Sequence, residues 1–558
     1  MIADKIGIKG YGRLMIGVAG LGGLLYGIDV GIIAAALLYL GKTINLTVEQ
    51  TSIIVAAVLG GSMISSLVAG VFADWFGRKK MMSVAGLMFV ASVGLIVISQ
   101  TFTLLFIGRL LQGMSGGVIA VVVPLYLAEC LGANERGKGT AIFQFMLTFG
   151  IVVAAMTGFF YIRGAEAAIA SAAGKADLIL AAENHAWRGM FLSVVYPGLA
   201  FFAGTFLLIE TPRWLFRKGK TAEARASLGL LVEPAEAERQ FHEMESLAVE
   251  TEKTQAGSGG SLLRRKYVVP FVLACVILAA NQATGINSIL AFLVVILKQA
   301  GMNATHATQG DVAVKLLNCV VTVLAVALVD RKGRKFLLKL GTGGIVLALL
   351  GASYFFHSFE AQRLDVRSQV QSSVTGNTLA LPVSQTEFGQ SDAGRPVVLT
   401  VLYSYGSGDK VATTLSSDAD KVLKISPEDN EKSAALTIKR AYFGPVAAES
   451  TGWLVAACMG LFIFSYAIGP GVVVWLMLSE LMPTRIRSTG MGIALLLNQG
   501  VSTLIASVFL TVVGNYGYFA MFLFWAACTA FYFSVAAFFV PETKGKTLEE
   551  IEAHFEGR

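Results

Sequence analysis

Asp74-Trp-Phe-Gly-Arg-Lys-Lys80 closes one long apolar stretch of this chain, and 256 residues later Asp330-Arg-Lys-Gly-Arg-Lys-Phe336 closes another. In both, an Asp ends the apolar run, a Gly permits a tight turn, and a basic cluster precedes the next apolar run. A second pair repeats the pattern: Glu129 with Arg136 and Lys138, then Glu480 with Arg485 and Arg487, each just past an apolar segment. A duplicated signal of this kind implies two similar membrane bundles facing each other. Two such halves with a site between them is how secondary transporters are built.

Composition agrees. Hydrophobic residues make up 55%, charged residues only 15%, and the mean hydropathy is +0.67, far from a soluble profile. Twelve apolar segments reach the roughly 20 residues needed to cross a bilayer. They run at about 12–40, 51–74, 81–100, 102–130, 138–161, 188–210, 268–298, 311–330, 336–357, 451–482, 486–513 and 517–540. Backbone groups in lipid must be satisfied within the segment, so these are read as helices. The expectation is an all-α integral membrane protein: twelve transmembrane helices in two pseudo-symmetric six-helix bundles, 1–210 and 268–540.

The net charge is +7, and its placement carries the information. Arg78, Lys79 and Lys80 fill one short loop; Arg331, Lys332, Arg334, Lys335 and Lys339 fill another. Loops near 41–50, 299–310 and 514–517 hold almost none. The positive-inside rule then puts both termini in the cytoplasm of a multi-pass protein of the plasma or inner membrane, and removes nucleic acid as a reading of the basic excess. Cys130, Cys275, Cys319, Cys458 and Cys528 lie in apolar spans or at their ends without metal spacing, so they read as small packing residues.

Three polar regions interrupt the spans. The first, 211–267, is read as a cytoplasmic linker with short amphipathic helices at 221–231 and 234–249, then Ala256-Gly-Ser-Gly-Gly-Ser261. The second, 359–448, is an extracytoplasmic insertion with strand signals at Pro396–Tyr403 and Ala434–Tyr442 around a Gly406-Ser-Gly-Asp409 turn, implying a β-rich cap. The third, 162–187, reads as an Ala-rich external loop. In the tail, 541–558, Thr547-Leu-Glu-Glu550 carries a capping-box signal for a short helix.

A set of motifs follows in order: Arg109-Leu-Leu-Gln-Gly-Met-Ser-Gly-Gly117, Pro124-Leu-Tyr-Leu-Ala-Glu129, Glu210-Thr-Pro-Arg-Trp-Leu215, Asn281-Gln-Ala-Thr-Gly-Ile-Asn287, Val329-Asp-Arg-Lys-Gly-Arg-Lys335 and Pro541-Glu-Thr-Lys-Gly545. This ordered set resembles the sugar porter family of the major facilitator superfamily over essentially the whole chain except 359–448. The resemblance implies alternating-access transport of a monosaccharide or related small sugar, by a monomer in the lipid bilayer, with no cofactor and no metal.

Sugars are uncharged polyols, so their site needs neutral groups that both donate and accept, plus a flat apolar surface. Gln144, Asn281, Gln282, Asn287, Asn318, Trp475, Asn498 and Gln499 meet that need inside apolar spans, where an unpaired amide is costly. A single amide there is as well explained by helix-to-helix adhesion; the family match favours substrate contact for the seventh-segment cluster and Gln144. At about 100° per residue, Asn281, Thr284, Asn287 and Ser288 share a face while Gln282 is displaced, unless the helix distorts at Gly285. The chain departs from the family pattern at Asn281-Gln282, Ala291-Phe292, Val472 and Gln499, which points to a roomier pocket.

Asp29 is the most telling ionisable residue. A carboxylate at that depth costs about 2.5–3.5 kcal/mol on insertion scales. Family resemblance implies Arg109 as its partner and proton coupling as its role, because proton-coupled members carry Asp there. A purely structural ion pair is the alternative. Asp74, Arg78, Glu129 and Arg136 mirror Asp330, Arg334, Glu480 and Arg485, and read as gating charges that hold the cytoplasmic ends together in one state. Facilitated diffusion and a non-transporting sugar sensor stay open. An enzyme is not indicated, since His185, His242, His306, His357 and His554 are scattered over loops and ends.

Overall fold

The computed structural model describes residues 2–131, 133–255, 265–384, 396–406, 408–416, 421–427, 434–482 and 487–544, with 546, 550 and 555. Helices α1 (Ile2–Thr43), α2 (Val48–Phe76), α3 (Arg78–Ile98), α4 (Phe102–Cys130), α5 (Ala133–Ser171), α6 (Ala176–Ser193) and α7 (Val195–Phe206) form the first bundle. Short helices α8 (Pro212–Arg217), α9 (Thr221–Leu231) and α10 (Pro234–Gln255) make the linker. The second bundle contains α11 (Arg265–Ala283), α12 (Ile286–Gln299), α13 (Ala304–Lys332) and α14 (Arg334–Glu360), then α16 (Glu449–Ile468), α17 (Pro470–Leu481) and α18 (Arg487–Phe538). Between α14 and α16 lie β1 (Leu364–Asp365), α15 (Arg367–Ser372), β2 (Leu379–Pro382), β3 (Val397–Ser404), β4 (Asp409–Leu415), β5 (Val422–Ile425) and β6 (Thr437–Pro445).

Eleven helical stretches among the described residues are long and apolar enough to span a bilayer. The last, 49 residues long, is two spans joined at Gly517, whose φ of 84° turns the chain. Three expected spans are broken rather than continuous: at Val194, at Gly285 and at Gly469. The expectation of an external loop at 162–187 is corrected. Its alanines favour helix, so α5 continues to Ser171 and α6 begins at Ala176. The capping-box signal at Thr547 lies outside the described residues.

The strands near 396–403 and 434–442 are present as β3 and β6. They form a four-stranded antiparallel sheet in the order β1-β6-β3-β4, with β2 and β5 paired separately. One face of the sheet buries Val397, Leu399, Val401, Ala441 and Phe443 in the insertion's own core. The other turns Thr400, Tyr442 and Lys410 toward the helix ends, lining one side of an open-sided cavity of about 580 Å³. Gly408 in the β3–β4 turn lies against Thr47, the residue that caps α2. The side bearing this sheet is called the cap side below, and the opposite one the linker side.

The bundles close on each other at the cap side. Leu510 N–H donates to Ser52 Oγ at 3.2 Å, and Gly60 and Gly500 approach Thr503 and Met63 further in. Toward the linker side α2 exposes Ile64, Leu67, Val68, Val71, Phe72 and Trp75, and the facing stretch of α18 exposes Ile493 and Leu497.

Candidate functional site

The break at Gly285 builds the centre of the second bundle. Its φ is +84°, and a Cβ there would stand 2.4 Å from the Trp525 ring, so only glycine fits. Breaking the helix brings the end of α11 and the start of α12 onto one site, which resolves the displacement of Gln282. Asn287 Nδ2 donates to Gln282 Oε1 at 3.0 Å and to Ser502 Oγ at 2.8 Å. Gln282 Nε2 donates to Asn498 Oδ1 at 3.1 Å, and Asn498 Nδ2 to the Leu278 carbonyl at 3.1 Å. Asn281 turns aside to donate to Tyr466 OH at 3.2 Å, leaving its buried Oδ1 without a donor. Phe292, Phe509 and Trp525 stack in series, with centroids 4.5 and 5.6 Å apart.

Not every expected amide joins this network. Among the described residues, Gln144, Asn318 and Trp475 show no side-chain hydrogen bond to it. Gln144 is half-buried on α5, Asn318 is buried on α13, and Trp475 is 44% exposed on α17. Gln499 sits beside Asn498 and near the Tyr26 hydroxyl, which is also near Ser62. Tyr26 therefore brings α1 of the first bundle close to α18 of the second. Ser502 was missed because a serine hydroxyl in an apolar helix usually bonds its own backbone, and Tyr26 and Tyr466 because aromatic rings in apolar spans read as packing; only their spacing from Asn498, Asp29 and Phe462 hinted otherwise.

The first bundle holds charge instead. Asp29 and Arg109 are fully buried, with Arg109 Nη1 3.3 Å from Asp29 Oδ1 and 2.7 Å from Gln112 Oε1. The guanidinium lies 5.5 Å over the Phe191 ring. Asp29 Oδ2 has no hydrogen-bond partner and faces Gly116, whose missing side chain leaves the space. Gln112, three residues after Arg109 in the same motif, was legible as an i, i+3 partner but not read.

At the linker side each bundle carries the same construction. Arg78 bonds Asp74 at 2.8 Å, Glu129 at 2.9 Å and the Ala73 carbonyl at 2.9 Å. Glu129 also accepts from Thr211 Oγ1 at 2.6 Å and is 3.3 Å from Arg217. In the second bundle Arg334 meets Glu480 at 3.2 Å and the Val329 carbonyl at 3.3 Å, and Glu480 accepts from Thr543 Oγ1 at 2.6 Å. Glu210 caps the amides of Arg78 and Lys79, and Glu542 those of Arg334 and Lys335. The side chains of Arg136, Asp330 and Arg485 lie outside the described residues. The described pairs join helices within one bundle. Glu210, Thr211, Glu542 and Thr543 were missed as partners although they sit in the quoted motifs.

A second buried ion pair was also missed: Asp311 and Lys315, 2.8 Å apart on α13. Lys315 Nζ donates to the Gly31 carbonyl of α1 at 3.2 Å. An i, i+4 pair of opposite sign inside an apolar span was the available signal.

Two bundles with broken helices, an amide cluster in one and a buried ion pair in the other define a secondary transporter of the major facilitator type. The family model described as "Sugar (and other) transporter" matches residues 15–375 and 433–555. The chain belongs to the sugar porter family of the major facilitator superfamily. Similar proteins include the probable metabolite transport protein CsbC of Bacillus subtilis (strain 168), 26% identical over 96% of this chain and 93% of that protein. The glucose transporter GlcP of Staphylococcus epidermidis is 26% identical over 95% and 94%. The human proton myo-inositol cotransporter is 25% identical over 96% and 81%. Among solved structures, a partially occluded, inward-open conformation of the xylose transporter XylE from E. coli superposes with a TM-score of 0.67 at 20% identity, covering 96% of this chain and 99% of that one. The likeness to XylE establishes the fold. Its relatives are transporters, and the chain is an integral multi-pass membrane protein.

Proposed function

We propose that this protein is a proton-coupled symporter of a monosaccharide or related small polyol, working by alternating access. The observation that carries the reading is Asp29: a fully buried carboxylate with one oxygen on Arg109 and the other unpartnered. It lies one turn from Tyr26, whose hydroxyl is near Gln499 beside the amide network. Protonating Asp29 removes its charge from Arg109, which keeps Gln112 as an acceptor. The ion pair then no longer holds α1 to α4, and α1 can shift around bound solute. Gln282, Asn287 and Asn498 exchange their mutual hydrogen bonds for bonds to solute hydroxyls, with Asn281 and Gln499 beside them and Gln144, Asn318 and Trp475 completing the contact from other helices.

The same reading takes 1–210 and 268–540 as the two transmembrane domains, 211–267 as a cytoplasmic linker, 359–448 as an extracytoplasmic insertion and 541–558 as a cytoplasmic tail, in a monomer. The basic loops support that orientation. The linker-side ion pairs brace each half so that the two ends meet as rigid surfaces when the site faces the cap side.

Uptake of labelled xylose, glucose and myo-inositol into proteoliposomes, with and without an inward proton gradient, tests the proposal. Wild type should accumulate one of them only with the gradient. Asp29→Asn, a permanent mimic of the protonated acid, should lose accumulation while keeping counterflow. Gradient-independent wild-type uptake would identify a facilitator, and intact accumulation in Asp29→Asn would move coupling to another residue.

A further inference from the structure

Four polar residues of α13 fall at i, i+4, i+7 and i+11: Asp311, Lys315, Asn318 and Thr322. That spacing puts them on one face, and all four are buried, at 1%, 0%, 9% and 7% exposure. An apolar span has no need of such a stripe for packing alone, and charges inside a membrane ask for a reason. Asp311 holds Lys315 by one oxygen and leaves Oδ1 without a partner. Lys315 spends a further donor across the boundary between the bundles, on the Gly31 carbonyl.

The acceptor's position is the informative part. Gly31 is two residues beyond Asp29 on α1. Two residues turn a helix by about 200°, so Asp29 looks toward α4 while Gly31 lies on the side of α1 that packs on α5, and Lys315 reaches its carbonyl there from α13. Gly31 also packs α1 tightly on α5, since a Cβ there would stand 2.8 Å from the Ala154 Cβ. A tilt of α1 that followed a change at Asp29 would therefore move the Gly31 carbonyl directly.

We infer that Lys315, held by Asp311, is a lock between the two bundles that keeps the cap-side entrance shut and couples it to Asp29 through about half a turn of α1. The inference rests on the alternating-access reading above. In the closed arrangement Lys315 spends two of its three donors, one on Asp311 and one on the Gly31 carbonyl. For a solute to enter from the cap side, the first bundle, packed on α13 through α5, must part from it and the Gly31 bond must break. Lys315 then swings on its flexible stem into the opened path, one turn from Asn318, with Asp311 keeping its charge neutralised. Lys315 is a positioning residue in this scheme, acting through α1.

The test uses the full-length protein in right-side-out vesicles. A reporter cysteine is introduced by Leu38→Cys, on α1 at the closed cap-side wall, where Leu38 is 8% exposed. It is labelled with a membrane-impermeant maleimide, and labelling of the chain lacking that substitution is subtracted. Lys315→Met should raise the labelling rate about tenfold, the size of one lost charge-assisted hydrogen bond, and Lys315→Arg should hold it near the parent rate. Lys315→Met strands Asp311 and can cost folding, so the double variant Asp311→Asn with Lys315→Met is run alongside. It should label as fast as the single variant, with KM for external solute and kcat both lowered. A role in packing alone would leave the labelling rate and the KM of the folded double variant within twofold of the parent, and that result overturns the lock. If the parent moved none of the solutes yet labelling still responded to Lys315→Met, the lock would stand and the transport reading would fall.

Discussion

The two bundles are alike at the linker side and unlike in the middle of the membrane. At the linker side each has a positive-φ glycine (Gly77, Gly333), an arginine after it (Arg78, Arg334), an acid from a later helix (Glu129, Glu480), and a Glu-Thr pair (Glu210-Thr211, Glu542-Thr543). The Glu of each pair takes up the space a glycine Cβ would fill, 2.2 Å from Glu210 Oε2 and 2.6 Å from Glu542 Oε2. Midway across, the first bundle carries the ion pair Asp29–Arg109 and the second the neutral amides Gln282, Asn287 and Asn498. The shared part is geometric, turning the chain and joining helices that must move as one. The unshared part is chemical, charge on one wall and hydrogen-bonding groups on the other.

That contrast breaks most sharply at Arg109. Arg109→Ala leaves the buried Asp29 without its counter-charge, at a cost of about 3–5 kcal/mol, and should abolish transport and lower the thermal midpoint in detergent. A folded, active Arg109→Ala protein would mean the charged wall is dispensable. Next in size is the comparison of the two linker-side arginines. Arg78 is 1% exposed, whereas Arg334 and Glu480 are 13% and 23% exposed. Arg78→Ala should therefore cost about 3 kcal/mol and Arg334→Ala about 1 kcal/mol. Equal losses would show that burial does not separate the two halves.

The neutral wall should respond to smaller changes. Asn287→Ala removes bonds to Gln282 and Ser502, and Gln282→Ala removes those to Asn287 and Asn498. Each should weaken solute binding by about 0.5–1.5 kcal/mol, read as a several-fold rise in Kd by isothermal calorimetry at unchanged thermal midpoint. Unchanged Kd in both variants would make the cluster helix adhesion only.

The fold was legible because its signals are long. Apolar runs near 20 residues and a repeated Asp-x-x-Gly-Arg-Lys turn leave few alternatives once the bilayer demands internal backbone bonding. The site was partly legible. Gln282, Asn287 and Asn498 stand out as amides in apolar spans, but which amides meet depends on the break at Gly285 and on the Trp525 ring filling it. Arg78 and Glu129 were read as gating charges; that their nearest described partners lie within one bundle depends on how helices distant in sequence pack. Asp311 and Lys315 were overlooked because they open the eighth span, where ionisable residues pass for the end of a loop. The short strands β2, β4 and β5 were missed because β-structure depends on partners distant in sequence.

The smallest expected effect tests the shared construction through pH. Glu210 lies beyond Phe206, where the sixth span ends in the structure, and burial pushes its carboxyl above the ordinary value of 4.5 despite the amides of Thr211, Lys79 and Arg78 that favour the anion. A carboxyl raised in the folded state binds more protons there than in the unfolded chain, so stability falls as pH rises from 4.5 through the folded value. Below 4.5 both states are protonated and the effect is absent; above the folded value the loss is complete. Glu210→Gln keeps an oxygen for the Arg78 amide but cannot ionise. The thermal midpoint of wild type should decline across that window, and the decline should be shallower in Glu210→Gln. Parallel profiles would mean that the anion is fully stabilised by the helix start it caps, and that the Glu-Thr pair owes its place to charge rather than to shape.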